Sequence, residues 1–219
     1  MFGGKIRNKV RVYANGWYPS SRDPDLIAQK AKEVVSKGYT ALKLDPFGTA
    51  YMKLDYKEEE ETKNILKSIR KTVGDKVELM IEGHKRFSIR EAIRIGNWLE
   101  DISPTWFEDP VENSDVDSLV SVAQRVPVRI VAGEGFNLAR DFSKFIEKRV
   151  TDIVNPEVLR IGGISGAVQV ASIGKANDVD MAFHNAESPL KTMINLQLCG
   201  FISNIYIQEC FDEFLEPWV

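Results

Sequence analysis

Short apolar, β-branched runs alternate with longer amphipathic segments along the whole of this 219-residue chain. That alternation limits the fold more than any other feature. The apolar runs predict strands at 10–14, 41–44, 77–81, 105–107, 128–132, 152–154, 179–183 and 205–208. Strands separated by helices pair in parallel, because a parallel connection needs a long crossover. Eight such units in a chain long enough for one well-buried core favour closure into a (β/α)8 TIM barrel. The alternative, an open doubly wound sheet, carries a glycine-rich turn after its first strand. Asn15-Gly16-Trp17 is not that turn. The expectation is α/β, a single catalytic barrel spanning 1–219.

The helices are punctuated in the sequence. Asp23 suits an N-cap, Pro24 the first helical position and Gly38 the residue past the C-cap, with Ile27, Ala31, Val34 and Val35 as the apolar stripe between. The run 58–61 opens the second helix and Lys67, Arg70 and Lys71 close it, which suits the macrodipole; Glu59 and Lys63 form an i,i+4 pair. This charge run reads as a solvated helix face. Ser88 and Glu91 read as a capping box ahead of Ile89, Ala92, Ile93 and Leu99. Further helices are expected from near Ser114, Leu138, Ser165 and Pro189. A typical barrel runs to about 250 residues, and this sequence stops at 215–219, just beyond its eighth strand. A full final helix is therefore not expected, and the chain reads as truncated or as a fragment of a longer enzyme.

Charge and cysteine usage exclude several classes. A formal net charge of −3 gives no case for nucleic acid as a partner. No apolar run nears the roughly 18 residues of a membrane span, and 1–12 lacks the apolar stretch of a signal peptide. Cys199 and Cys210 fall on segments that read as buried helix and strand, so no disulfide scaffold is expected and the location is read as cytoplasmic.

Barrel active sites gather at the C-terminal ends of the strands. Those ends deliver Asn15, then Lys43 with Asp45, Glu82 with His84, Glu108 with Asp109, Glu134, Glu157, His184 and Glu209. Glu82, Glu108 and Glu134 follow one another at intervals of 26 residues, one βα unit each. Any one of them alone reads more readily as a loop charge. All three in register with consecutive strands converge on one side of the mouth, where they repel unless a cation sits among them. Oxygen-only ligands favour Mg2+, with Mn2+ as a substitute. His184 taken alone could equally be a satisfied core residue, but Glu157 one strand earlier can orient its ring. His84 stands two residues past Glu82, so a strand continuing regularly would point both the same way. The chain has only these two histidines, and both fall at this rim. Gly162-Gly163 reads as the turn into the next helix rather than a phosphate cradle.

The segments Glu82-Gly83-His84, Phe107-Glu108-Asp109-Pro110, Ala132-Gly133-Glu134 and Pro156-Glu157-Val158-Leu159-Arg160-Ile161-Gly162-Gly163-Ile164 resemble the mandelate-racemase branch of the enolase superfamily. Phe183-His184-Asn185, Ile207-Gln208-Glu209 and Lys43-Leu44-Asp45-Pro46-Phe47-Gly48 extend the match. The resemblance implies Glu82, Glu108 and Glu134 as metal ligands and His184 as the base that removes the proton α to a carboxylate. It implies Glu209 as a hydrogen-bond partner of the enediolate, and Glu157, one methylene longer than the usual aspartate, as the partner of His184. Where the branch often carries Lys-x-Lys, this chain has Lys43-Leu44-Asp45, which removes a base that a racemase would use. A cycloisomerase or dipeptide epimerase would carry a lysine where Asn155-Pro156-Glu157 stands. In acid-sugar dehydratases of the branch, a histidine two residues past the first ligand is the general acid, and His84 matches it.

The implied activity is dehydration of an aldonate such as gluconate or galactonate to a 2-keto-3-deoxy acid, with Lys43, Asp45, His84 and Glu209 at the substrate. Two alternatives stand beside it: an epimerase or racemase using Lys43 or His84 as the opposite base, and a catalytically silent barrel. The family also has an N-terminal α+β cap and a C-terminal segment, expected to be missing here, with 1–5 resembling the junction. The full-length form is expected to be a homo-oligomer and the uncovered chain inactive.

Overall fold

The capping and alternation signals become, in the computed structural model, eight strands and seven α-helices over residues 4–112, 116–186 and 188–211, the part of the chain the structure describes. In chain order these are β1 (Val12–Ala14), α1 (Pro24–Ser36), β2 (Ala41–Leu44), α2 (Tyr56–Val73), β3 (Glu78–Glu82), α3 (Ile89–Leu99) and β4 (Trp106–Glu108). Then follow α4 (Val116–Ala123), β5 (Ile130–Val131), α5 (Ala139–Glu147), β6 (Ile153–Val154), α6 (Gly163–Ala176), β7 (Asp180–Met181), α7 (Pro189–Phe201) and β8 (Gln208–Cys210). The expected helix start at Ser114 and the tail 215–219 lie outside the described residues, as do 1–3 of the junction.

Six strands form one parallel sheet in the order β5-β4-β3-β2-β1-β8, and β6 and β7 pair in parallel. Backbone bonds link the two sheets at both ends: Asn155 N donates to Ala132 O at 3.3 Å, and Tyr206 N to Met181 O at 2.9 Å. The strands thus follow one another round a barrel in chain order, as expected. Its interior is one apolar layer to which every strand segment contributes a residue: Tyr13, Ala41, Met80, Trp106, Val131, Ile153, Ala182 and Ile207. Large and small side chains share this layer, so it fills without a pore. The larger core lies between strands and helices and takes the buried stripe Ile27, Ala28, Ala31 and Val34 of α1.

Asp23 caps α1 as expected, accepting from Asp25 N at 2.9 Å, and Gly38 takes a φ of +103°. The start of α2 lies earlier than expected, because Asp55 and Glu58 form a reciprocal capping box there. The box expected at Ser88 is only half made. Ser88 Oγ accepts from Glu91 N at 3.3 Å, but Ser88 N is already given to Met52 O, and the Glu91 carboxylate goes to Leu54 N at 2.8 Å and to Arg94. The eighth strand also shifts. Its ladder with β1 runs over Gln208–Cys210 rather than 205–208, since inside a barrel a polar strand segment is acceptable when its groups are bonded. Gln208 Nε2 donates to Phe183 O at 3.2 Å. Among the described residues, no helix is long and apolar enough to cross a membrane.

Candidate active site at the barrel mouth

Side chains alternate along a strand, so the residue two past each apolar layer position faces the same interior one step nearer the C-terminal rim. Applied to this layer, the rule selects Asn15, Lys43, Glu82, Glu108, Asn155, His184 and Glu209. On β5 it selects Gly133, whose φ of +149° turns the backbone so that Glu134 takes the place one residue later. A Cβ on Gly133 would also stand 2.8 Å from the Phe142 ring.

Lys43 is the hub of this second layer. Its buried Nζ lies 2.8 Å from Glu108 Oε1, 3.0 Å from Glu209 Oε1 and 3.3 Å from Glu82 Oε2. Asn155 Nδ2 donates to Glu108 Oε1 at 2.7 Å and Trp106 Nε1 to Glu108 Oε2 at 2.8 Å. Asn15 Nδ2 donates to Glu209 Oε1 at 2.7 Å and Asn185 N to Glu209 Oε2 at 2.6 Å. Burial pushes the Glu82 carboxyl up to about 7, and burial together with the charge of Glu82 pushes Glu108 up as well. Burial acts the same way on Glu209, but the charges of Lys43 and His184 and the Asn185 N–H outweigh it and draw that carboxyl down to about 2.

The three expected metal ligands stand on neighbouring strands at one rim, with Glu82 and Glu108 paired in register. Three carboxylates supplying only oxygen fit a hard divalent cation, and Glu82 and Glu108, raised first by burial and then by neighbouring carboxylate charge, are groups whose ionised form such an ion would favour. Their oxygens close here on lysines, Lys43 against Glu82 and Glu108, and Lys85 against Glu134. Among the described residues no three acidic, histidine or cysteine side chains surround one point as ligands would.

His184 sits just past β7 with Nδ1 2.6 Å from Glu157 Oε2 and Nε2 3.2 Å from Glu134 Oε2. The extra methylene of Glu157 does not prevent the pairing. Leu159 N holds its Oε1 at 2.9 Å, and Lys191 Nζ also binds Oε2. Burial alone would raise Glu157, but the hydrogen bonds from His184 and Lys191 outweigh it and keep the carboxyl low. For His184, burial works downward, while the Glu157 hydrogen bond and the Glu209 and Glu134 charges prevail and raise it.

His84 does not continue the strand. β3 ends at Glu82, whose Oε1 accepts from His84 N at 2.8 Å, and His84 takes a left-handed φ of +49°. Gly83 between them is compelled by packing, since a Cβ there would meet Pro110 Cα at 2.8 Å. The His84 ring leans outward, 52% exposed, with Nδ1 2.5 Å from Asp45 Oδ2. Phe47 N fixes Asp45 Oδ1 at 3.0 Å, and Arg86 binds Asp45 Oδ2. Gly162 and Gly163, with φ of +93° and +68°, are the turn into α6. Sequence reasoning missed Asn155, Lys85, Arg86 and Lys191. Asn155 is within reach of the alternation rule, and the signal that could have found Lys191 is a cation in the first turn of a helix, at the unfavourable end of its dipole.

Residues 26–217 match the family model described as enolase C-terminal domain-like. The D-gluconate dehydratase of Thermoproteus tenax is 34% identical over all of this chain and 44% of its own length. The D-gluconate/D-galactonate dehydratase of Picrophilus torridus is 32% identical over all of this chain and 56% of its own. A solved mandelate racemase/muconate lactonizing enzyme from a Sulfitobacter species superposes with a TM-score of 0.91 at 30% identity, over 98% of this chain and 56% of that one. The chain spans about half the length of the curated relatives it matches.

Proposed function

The chain belongs to the enolase C-terminal domain-like family, and from that premise we propose that it is the catalytic barrel of a dehydratase acting on gluconate or galactonate, the substrates in its relatives' names. The observation that carries the proposal is a pair of histidines at facing strand ends, β3 and β7 being four strands apart in a ring of eight. Each has its Nδ1 on a carboxylate.

In this reading His184 gives its Nδ1–H to Glu157, and the Nε2 lone pair takes the proton from C2 of the substrate. The electrons of that C–H bond pass to the carboxylate as an enediolate, whose charge Lys43 faces. When they return to form the C2–C3 double bond, the C3–O bond breaks, and His84 supplies the proton with which the hydroxyl leaves as water. The resulting enol tautomerises to the 2-keto-3-deoxy acid. A divalent cation held by Glu82, Glu108 and Glu134, Mg2+ or in its place Mn2+, would supply Lewis-acid stabilisation of the substrate carboxylate. Glu209, 3.0 Å from Lys43 Nζ and held by Asn15 and Asn185, is in this reading the hydrogen-bond partner of the developing enediolate.

This chemistry needs water kept out, and His84 is half exposed. The 219-residue chain by itself is therefore expected to be inactive, and the proposed activity is that of the whole protein. The test is a panel of sugar acids with Mg2+ in deuterium oxide, on this chain and on a form of its relatives' length. The expected result is a 2-keto-3-deoxy acid from gluconate or galactonate by the longer form. Return of intact acid carrying deuterium at C2 would replace dehydration with epimerisation. No exchange and no turnover in either form would leave a catalytically silent barrel.

A further inference from the structure

We propose that Lys191 is a positioning residue that fixes Glu157 against His184 and so lets the longer acid orient the base. The inference rests on His184 being the proton-removing base. Lys191 is the third residue of α7, its backbone N donating to Ser188 Oγ at 3.3 Å. Its side chain is wholly buried, and its Nζ binds Glu157 Oε2 and lies 3.5 Å from His184 Nδ1. A buried ammonium is costly, and the N-terminal turn of a helix is the wrong end for a cation. Both penalties are accepted at a position where the lysine reaches one carboxylate oxygen.

That oxygen is the one His184 uses. A glutamate has one more rotatable bond than an aspartate, so its carboxylate sweeps a wider arc unless it is held. Leu159 N holds Oε1 at 2.9 Å, and Lys191 and His184 share Oε2. With both oxygens fixed, Nδ1 of His184 must carry the hydrogen it donates, and Nε2 points to the mouth, where it lies 3.2 Å from Glu134 Oε2. Without Lys191, Oε2 keeps only the histidine, and the carboxylate gains the freedom that the extra methylene allows. A lysine that merely balanced buried charge would matter for folding but would not change where the Nδ1 hydrogen sits.

The distinction is measurable because the chain has only two histidines. A proton shared between Nδ1 and a carboxylate resonates far downfield in the spectrum of 15N-histidine-labelled chain, and loss of the signal in His184→Asn assigns it. The expected result is loss or upfield movement of that resonance in Lys191→Met and in Lys191→Gln, with the His84 signals unchanged. In the longer active form, kcat should fall about 10- to 100-fold with KM nearly constant, as for other partners that orient a functional histidine. An unchanged resonance in either folded variant overturns the proposal. If Lys191→Met does not fold, Lys191→Gln decides, because its amide keeps a donor without the charge. Unfolding of both would assign Lys191 to stability alone and overturn it equally. Wild-type resonance that shifts as expected, in a protein with no turnover on any sugar acid, would sink the dehydratase reading and leave the positioning role standing.

Discussion

The mouth of this barrel carries the same chemical unit twice. On one side Asp45 holds His84 Nδ1 at 2.5 Å, with Arg86 on the same carboxylate oxygen. Across the ring Glu157 holds His184 Nδ1 at 2.6 Å, with Lys191 on the same oxygen. The two differ in their relation to water, His84 being 52% exposed and His184 16%. They also differ in backbone, since His84 takes a left-handed φ of +49° and His184 does not. A base must keep one proton acceptor aimed at carbon and gains from a dry setting. An acid must be recharged with a proton every turnover, and access to solvent serves that. On the proposed reading, the difference between the arms is a division of labour between two copies of one device.

The largest expected effect separates the two steps. His184→Asn should lower C2 deuterium exchange and dehydration together by about 10²- to 10⁴-fold, the usual worth of a general acid or base. His84→Asn should lower dehydration by a similar factor and leave exchange measurable. Equal loss of exchange in both variants would erase the distinction between the arms. Next come their carboxylates. Glu157→Gln should cost about 10- to 100-fold in kcat, whereas Asp45→Asn should cost less, because water can take the place of the carboxylate beside an exposed ring. A larger loss at Asp45 would reverse the ranking.

Gly83→Ala tests the outer arm through its backbone. The added Cβ meets Pro110 Cα at 2.8 Å, so thermal unfolding should report a loss of about 1–3 kcal/mol, as overpacking generally costs. Dehydration should suffer more than exchange, since the strain falls next to His84. The smallest effect should come from salt. Raising ionic strength to about 1 M shortens the screening length to about 3 Å, and with saturating substrate it should alter the dehydration step by less than about twofold while leaving exchange unchanged. Equal salt sensitivity of both steps would show that the inner dyad is not shielded.

Much of this architecture is written in the sequence, and the exceptions have physical causes. The apolar runs name all eight strands because both faces of a barrel strand are buried, as at Ala41–Leu44. The same rule misplaces the eighth strand, where burial is met by hydrogen-bonded Gln208 and Glu209 instead of apolar side chains. The spacing of Glu82, Glu108 and Glu134 brings out the rim. It cannot show that Lys85 lies among them, because a lysine's long side chain hides its destination. The Ser88 capping box fails on a tertiary contact, the demand of Leu54 N for the Glu91 carboxylate. Asp45, a departure from the family motif, makes sense only once the fold brings it to His84.

The lysine at the hub of the second layer has a further consequence. Lys43 reaches Glu82, Glu108 and Glu209 at once, so one cation that is covalently part of the chain offsets part of the charge of three carboxylates. On the proposed reading, metal loading would be a competition between a tethered cation and a diffusing one, not a folding event of the kind seen in small metal-nucleated domains. Chelator treatment should accordingly leave an intact barrel, and a protein that binds metal as proposed should be strippable and reloadable with a different divalent ion without passing through the unfolded chain.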